Sequence, residues 1–214
     1  MSASTLFFDL DGTLVDSEAG IVCSIRHAFA ELGRPAPAPQ QLRGWIGPPL
    51  RDSFKDYFAG DQALVAQALA LYRERYDAQG WREHTVFPEI GAAVAALAAA
   101  GHHFAVVTSK NERFARRIVA TLPFAAHFEE IVGASDDGAR RTKPDLIAEA
   151  LRRLSLQPAQ CVMIGDRRMD IDGANHHGMR SIGVLWGFGD EAELRQADAG
   201  ALAQVPAQLP GLIA

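Results

Sequence analysis

One stretch constrains this chain more than any other: Leu6-Phe7-Phe8-Asp9-Leu10-Asp11-Gly12-Thr13-Leu14-Val15-Asp16. Three consecutive apolar residues, Leu6 to Phe8, suit a strand covered on both faces of a parallel sheet. The run stops at Asp9, and Gly12 permits a tight turn. Asp9 and Asp11 therefore stand where a buried strand ends, the edge at which open α/β sheets bind ligands. Buried carboxylates without partners are costly, so the pair calls for a metal, a proton or a cation. A plain Asp-Gly turn with an incidental second aspartate would explain these residues alone, but not the polar groups at the later strand ends.

After this stretch the periodicity changes. Ile21, Cys23, Ile25, Ala28, Phe29 and Leu32 mark an amphipathic helix closed by Gly33 and Pro35. A short helix over 40–45, another over 50–58, and a long one capped by Asp61 and running to about Ala78 complete a block without strand signal. Strand–helix alternation resumes after Pro88: Phe104–Val107, Glu130–Val132, Gln160–Ile164 and Arg180–Leu185 read as strands separated by helices. The tail beyond Ala192 reads as one helix with irregular packing. The alternation predicts an α/β fold, a doubly wound parallel sheet with an inserted all-helical domain. The core is expected at residues 1–16 and 87–214, the helical insert at 17–86.

Three predicted strands end in polar groups of different kinds. The first ends in Asp9 and Asp11; the second in Thr108 and Ser109, read as hydroxyls at a helix start suited to an anion; the third in Asp166, with Asp170 four residues on. Lys143 precedes Pro144 in a loop before a helix. Gathered at one sheet edge, these parts suit phosphoryl transfer: a carboxylate nucleophile, an acid for the leaving oxygen, and a lysine and hydroxyls for the phosphoryl oxygens. The candidate metal ligands, Asp9, Asp11, Asp166 and Asp170, offer only oxygen, which indicates Mg2+ rather than zinc.

In order, Asp9-Leu10-Asp11-Gly12-Thr13, Thr108-Ser109, Lys143-Pro144 and Gly165-Asp166-x-x-x-Asp170 resemble the four motifs of the haloacid dehalogenase superfamily. The helical insert after the first motif resembles the C1 cap of its phosphoglycolate phosphatase-like branch. The resemblance implies a cap over a Rossmann-like core and a Mg2+-dependent phosphomonoesterase. It makes Asp9 the nucleophile and a metal ligand, and Asp11 the general acid and base with its carbonyl on the metal. Thr108 and the Ser109 amide would bind the phosphoryl group. Lys143 would steady nucleophile and phosphate, Asp166 would complete the metal site, and Asp170 would orient a metal-bound water or stand behind it. Asp11 disfavours the dehalogenases, which lack it; Thr13 weakly disfavours the sugar phosphomutases. Relatives often read Lys-Pro-x-Pro where this chain has Lys143-Pro144-Asp145-Leu146, and loss of the second proline is expected to loosen that loop.

Trp45-Ile46-Gly47-Pro48-Pro49-Leu50 resembles a cap signature of proteins called phosphoglycolate phosphatase and of some called 5′-nucleotidase. A small phosphorylated metabolite is therefore the expected substrate, phosphoglycolate-like first and a nucleoside 5′-monophosphate second; a phosphomutase and a non-catalytic binding module are the rivals. Arg43 and Arg51 flank this signature as candidates for the substrate's non-reacting end, while Arg140 and Arg141 would add positive potential near Lys143. The pairs His102-His103 and His176-His177 lack a metal-like partner set. A net charge of −5 argues against a nucleic-acid partner. No apolar run would span a membrane and no secretory pattern stands at the N-terminus, so a cytoplasmic protein is expected. Cys23 and Cys161 read as buried reduced thiols. Monomer and homodimer stay equally open.

Overall fold

The computed structural model describes residues 3–213; residues 1–2 and 214, the ends of the expected core, lie outside the described residues. Its centre is β1 (Thr5–Phe8), flanked by β4 (His103–Asn111) and β6 (Cys161–Gly165). With β5 (Phe128–Ala134), β7 (Arg180–Val184) and β8 (Ala201–Ala203) they form a parallel sheet in the order β5-β4-β1-β6-β7-β8. Alternate residues of β1 serve the two faces. Phe7 packs with Leu146, Ile147 and Ala150 of α7 (Lys143–Leu154). Leu6 and Phe8 pack with Ile90, Val94 and Leu97 of α5 (Ile90–Ala99) and with Phe114 and Ile118 of α6 (Glu112–Val119). A strand covered on both sides needs no polar face, which is why its sequence is an unbroken apolar run. α8 (Arg168–His176) and α9 (Glu191–Gln196) complete the layers with the short α10 (Leu209–Ile213).

Phe8 lies opposite Val106 and Ile164, so Asp9 emerges beside the ends of β4 and β6. There the chain turns tightly: the Leu10 carbonyl accepts from the amides of Leu14 and Val15 at 3.0 and 3.1 Å. It continues into β2 (Val15–Asp16), which pairs antiparallel with β3 (Thr85–Val86). These two-residue strands are too short to show an alternating pattern, and the sequence did not announce them. Between them lie α1 (Glu18–Glu31), α2 (Pro39–Gly44), α3 (Leu50–Tyr57) and α4 (Gln62–Ala78). Asp61 caps α4, accepting from the amides of Ala63 and Leu64, a contact worth about 1 kcal/mol. Phe29, Trp45, Phe54, Tyr57 and Phe58 form the aromatic heart of this helical unit.

Four local expectations are corrected. α6 begins at Glu112 with Asn111 as its cap, so Thr108 and Ser109 belong to the irregular end of β4 rather than to a helix start. α7 begins at Lys143, closed by a capping box between Thr142 and Asp145. The Leu146 amide donates to the Thr142 carbonyl at 3.0 Å, a bond that a proline there would forbid, so helix replaces the loosened loop. The tail contributes the edge strand β8. Cys23 is exposed on α1, while Cys161 is buried, its thiol pushed up to about 11 by burial. No described helix is long and apolar enough to cross a membrane.

Candidate active site

The strand ends converge on one lysine. Lys143, in the first turn of α7, is 4% exposed. Its Nζ lies 3.0 Å from Asp9 Oδ1, 2.6 Å from Asp170 Oδ1 and 3.0 Å from the Val107 carbonyl oxygen. Two of its N–H groups donate to Asp9 and the Val107 carbonyl, and Asp170 is held as a close ion pair, so one ammonium ties three different elements. Burial opposes the lysine's charge, but Asp170 and Asp9 outweigh it and push its pKa upward. Gly173 of α8 lets the stem through: a Cβ there would sit 2.7 Å from Lys143 Cγ.

Asp166 follows β6 and is fully buried. It accepts from the Phe188 amide at 2.7 Å and from Thr13 Oγ1 at 3.4 Å. Gly12, with φ of 84°, faces it so closely that a Cβ would lie 2.2 Å from Asp166 Oδ2. Only glycine fits that approach and that backbone angle. Asp170, in the first turn of α8, also accepts from the Arg167 amide at 3.0 Å.

Asp9, Asp166 and Asp170 each present an oxygen within 4.8 Å of the others. One lysine leaves this group anionic. Burial first, then Asp170 and Asp9, raise Asp166 well above the ordinary carboxylate range. Burial also raises Asp170 to about 6, with Lys143 opposing and Asp9 reinforcing the shift. Asp170 Oδ1 is buried without a well-aligned hydrogen bond despite its short ion pair. Such a cluster lacks positive charge, and its all-oxygen donor set fits a hard divalent cation. The histidine pairs stand apart: His103 pairs with Glu129, and His177 contacts the Pro144 carbonyl.

Thr108 is buried beside the cluster, its Oγ1 accepting from the Lys110 amide at 3.3 Å. Asp11 is held by a residue that sequence reasoning passed over: Lys110 Nζ lies 2.9 and 2.6 Å from its two carboxylate oxygens. The ammonium also sits 5.0 Å from the Tyr76 ring centroid. The signal was available, since Lys110 lies two residues beyond Thr108 at the same sheet edge.

Asp11 and Lys110 open onto a cavity of about 400 Å³ between the helical unit and the sheet edge. Its walls include Trp45, Leu50, Tyr72, Tyr76 and Phe114, and Ser109, Arg51 and Arg141 also line it. Arg43 does not; it pairs with Glu18, donates to the Gly187 carbonyl and stacks over Phe188. Arg140 is engaged by Glu112 at 2.9 Å, away from the cavity.

Residues 6–184 match the family model described as haloacid dehalogenase-like hydrolase. The chain belongs to this family. A 5′-nucleotidase of Pseudomonas aeruginosa is 42% identical over 207 residues, covering 94% of each chain. The tyrosine-protein kinase PtkA of Mycobacterium tuberculosis is 43% identical over 188 residues, covering 88% of this chain. This chain spans 64% of the length of that relative. The crystal structure of a predicted phosphatase from Clostridium acetobutylicum superposes with a TM-score of 0.94 at 35% identity, covering 99% of each chain. Membership of the family and the α/β fold expected from sequence therefore both hold.

Proposed function

We propose that this chain is a divalent-metal-dependent phosphomonoesterase that hydrolyses a small phosphorylated metabolite through an aspartyl-phosphate on Asp9. The observation that carries this reading is the group of buried carboxylates Asp9, Asp166 and Asp170 around one lysine at the ends of β1 and β6. Asp9, Asp166 and the Asp11 carbonyl would hold the ion, with Asp170 behind them; Mg2+ suits these oxygen donors. When bound, it offsets repulsion between a carboxylate and an incoming dianion.

The chain's own residues do the rest. Asp9 attacks phosphorus as Lys143 fixes its carboxylate and Thr108 holds a phosphoryl oxygen. Asp11 gives a proton to the leaving oxygen and then takes one from the water that attacks the phospho-enzyme. Helices α1–α4, residues 17–86, act as a cap that keeps bulk water from the first step and admits one water to the second.

The cavity beside Asp11 supports a leaving group larger than glycolate. Its size and the aromatic walls of Trp45, Tyr72, Tyr76 and Phe114 suit a planar body such as a nucleoside. The 5′-nucleotidase relative, similar along nearly its whole length, supports the same order. A phosphoglycolate-like substrate becomes the second reading. A hydroxyl acceptor in place of water would make the same core a mutase or kinase. Free Cys23 and Cys161 support a reducing, cytoplasmic setting.

The test is phosphate release from a panel of nucleoside monophosphates, phosphoglycolate and sugar phosphates, with Mg2+ and then with chelator. Release should require metal and vanish in Asp9→Asn, with circular dichroism unchanged. Turnover in Asp9→Asn at the wild-type rate removes the nucleophile assignment. Isomerised sugar phosphate without free phosphate transfers the reading to a mutase.

A further inference from the structure

Between Asp166 and Asp170 stands a side chain that reaches out of the core. The Arg167 backbone amide is fixed by Asp170 Oδ2 at 3.0 Å, which sets the direction of its side chain. Its side chain is 13% exposed and crosses to the helical unit, where Nη1 donates to the Ile46 carbonyl. Nε pairs with Glu193 Oε1 of α9 at 2.9 Å, and that carboxylate also accepts from the Arg168 amide at 2.8 Å. The arginine is thus braced on the core side before it touches the cap side.

The receiving loop is shaped for it. Gly47 has a φ of 104°, and a Cβ there would lie 2.9 Å from Arg167 Cγ and 3.3 Å from Nη1. The loop from Trp45 to Leu50 is also a wall of the cavity beside Asp11. One guanidinium therefore links the segment bearing Asp166 and Asp170 to the segment that encloses the leaving group.

We propose that Arg167 is a positioning residue, a clasp that holds the Trp45–Leu50 loop over the strand ends and makes cap closure depend on the segment carrying Asp166 and Asp170. Two features suit a clasp that opens. The acceptor is a backbone carbonyl, so release leaves no unpaired charge on the cap, and Glu193 keeps the guanidinium paired when the loop lifts. The opposite end of the cap is tied differently: Asp77 of α4 pairs with Arg113 and Arg117 of α6. Arg117 in turn lies 4.1 Å from the Trp81 ring centroid. That end is anchored by ion pairs. At the Arg167 end the neutral Ile46 contact is flanked by exposed ones, Arg43 on Gly187 and Phe188 and Arg141 at 3.8 Å from Asp52 of α3. Arg167 thus supplies the contact there made by a largely buried side chain, the arrangement of a hinge and a mouth.

The kinetic part of the test rests on the phosphatase reading; the structural part does not. Spin labels on Lys55→Cys in α3 and Arg152→Cys in α7, with Cys23→Ser and buried Cys161 left in place, report the separation of cap and core. Arg167→Met should lengthen and broaden that distance, and Gly47→Ala should do the same from the other side of the contact. Arg167→Lys should return part of the way. Substrate KM should rise about tenfold in Arg167→Met while Mg2+ affinity, read from the shift in melting temperature, stays within about twofold. Distances in both variants that overlay wild type overturn the clasp. So does an Arg167→Met whose Mg2+ affinity falls as far as its KM rises, since the residue would then serve the metal site alone. If no phosphate is released by wild type, the phosphatase reading fails and the distances still decide the clasp. If Arg167→Met does not fold, Gly47→Ala and Glu193→Gln carry the same comparison.

Discussion

The strand-end cluster and the cavity in front of it are built by opposite means. In the cluster every side chain has a named contact: Lys143 joins Asp9 to Asp170, and Asp166 takes the Phe188 amide. The positions are set by backbone, and glycines bring the chain within contact of carboxylates. In the cavity the walls are large rings on helices, while Arg51 and Arg73 carry no ion pair among the described residues. The first arrangement holds atoms where a reaction needs them; the second leaves space and charge for a group that arrives. Bond-making tolerates displacements well under an ångström, whereas recognition of a leaving group tolerates repacking.

The harshest way to break this contrast is Gly12→Ala. One methyl group would occupy the space of the Asp166 carboxylate and force a side chain onto a φ of 84°. Activity should fall by about a hundredfold or more, and Mg2+ should no longer raise the melting temperature. An active, metal-responsive Gly12→Ala would mean that the cluster is softer than its packing implies.

Lys110→Met sits on the boundary between the two regions. It strips Asp11 of its cation while leaving Asp9, Asp166 and Asp170 untouched. We expect kcat to fall by about tenfold with metal affinity retained, and Lys110→Arg to recover part of the loss. A rate within about twofold of wild type would show that Asp11 needs no partner there.

That lysine also marks how far the sequence could be read. The positions of Asp9, Thr108 and Asp166 were legible because each closes an apolar run that marks a strand, and that of Lys143 because Lys143-Pro144 precedes a helical pattern. Lys110 shared that strand end, but its pairing with Asp11 was not legible, nor was that of Arg167 with Ile46, because these partners lie far away along the chain and no local period links them. The sheet core was legible for the same reason as the motif, while β2, β3 and β8 are too short to leave a pattern. Arg43 and Arg51 looked alike in sequence, eight residues apart on either side of the same signature; only packing separates them.

A third comparison uses pH. Arg152 and Arg153 on the surface hold Glu149 down to about 2, so it is ionised in folded and unfolded chains alike above pH 5. Asp170 behaves oppositely: burial raises it to about 6, so the metal-free fold keeps a proton that the unfolded chain has released. That stabilising contribution is present at low pH and is lost as pH rises through about 6. Asp166, shifted in the same direction by burial, adds to it. Ionised carboxylates are what a divalent ion binds, so metal affinity should rise over the same window. The gap in melting temperature between Mg2+-loaded and chelated protein should therefore widen from pH 5 to 7.5. A gap that is constant with pH would mean that the cluster is already ionised in the metal-free fold.

The gentlest comparison separates the two arginines. Arg51 lines the cavity without an ion pair among the described residues, so Arg51→Ala removes a cation that faces the leaving group. KM for an anionic or polar leaving group should rise about threefold to tenfold with kcat little changed, the pattern of uniform binding. Arg43 is already engaged: its side chain is 49% exposed, it pairs with Glu18, and its guanidinium lies 5.2 Å from the Phe188 ring centroid. An exposed ion pair of this kind is worth about 0–1 kcal/mol, and Arg43→Ala should leave KM within about twofold of wild type. Steady-state kinetics of the two variants on one nucleoside monophosphate and on phosphoglycolate checks both. If Arg43→Ala raises KM as much as Arg51→Ala, the cavity is not the whole of the leaving-group site, and the Gly187-Phe188 loop beneath Arg43 belongs to it as well.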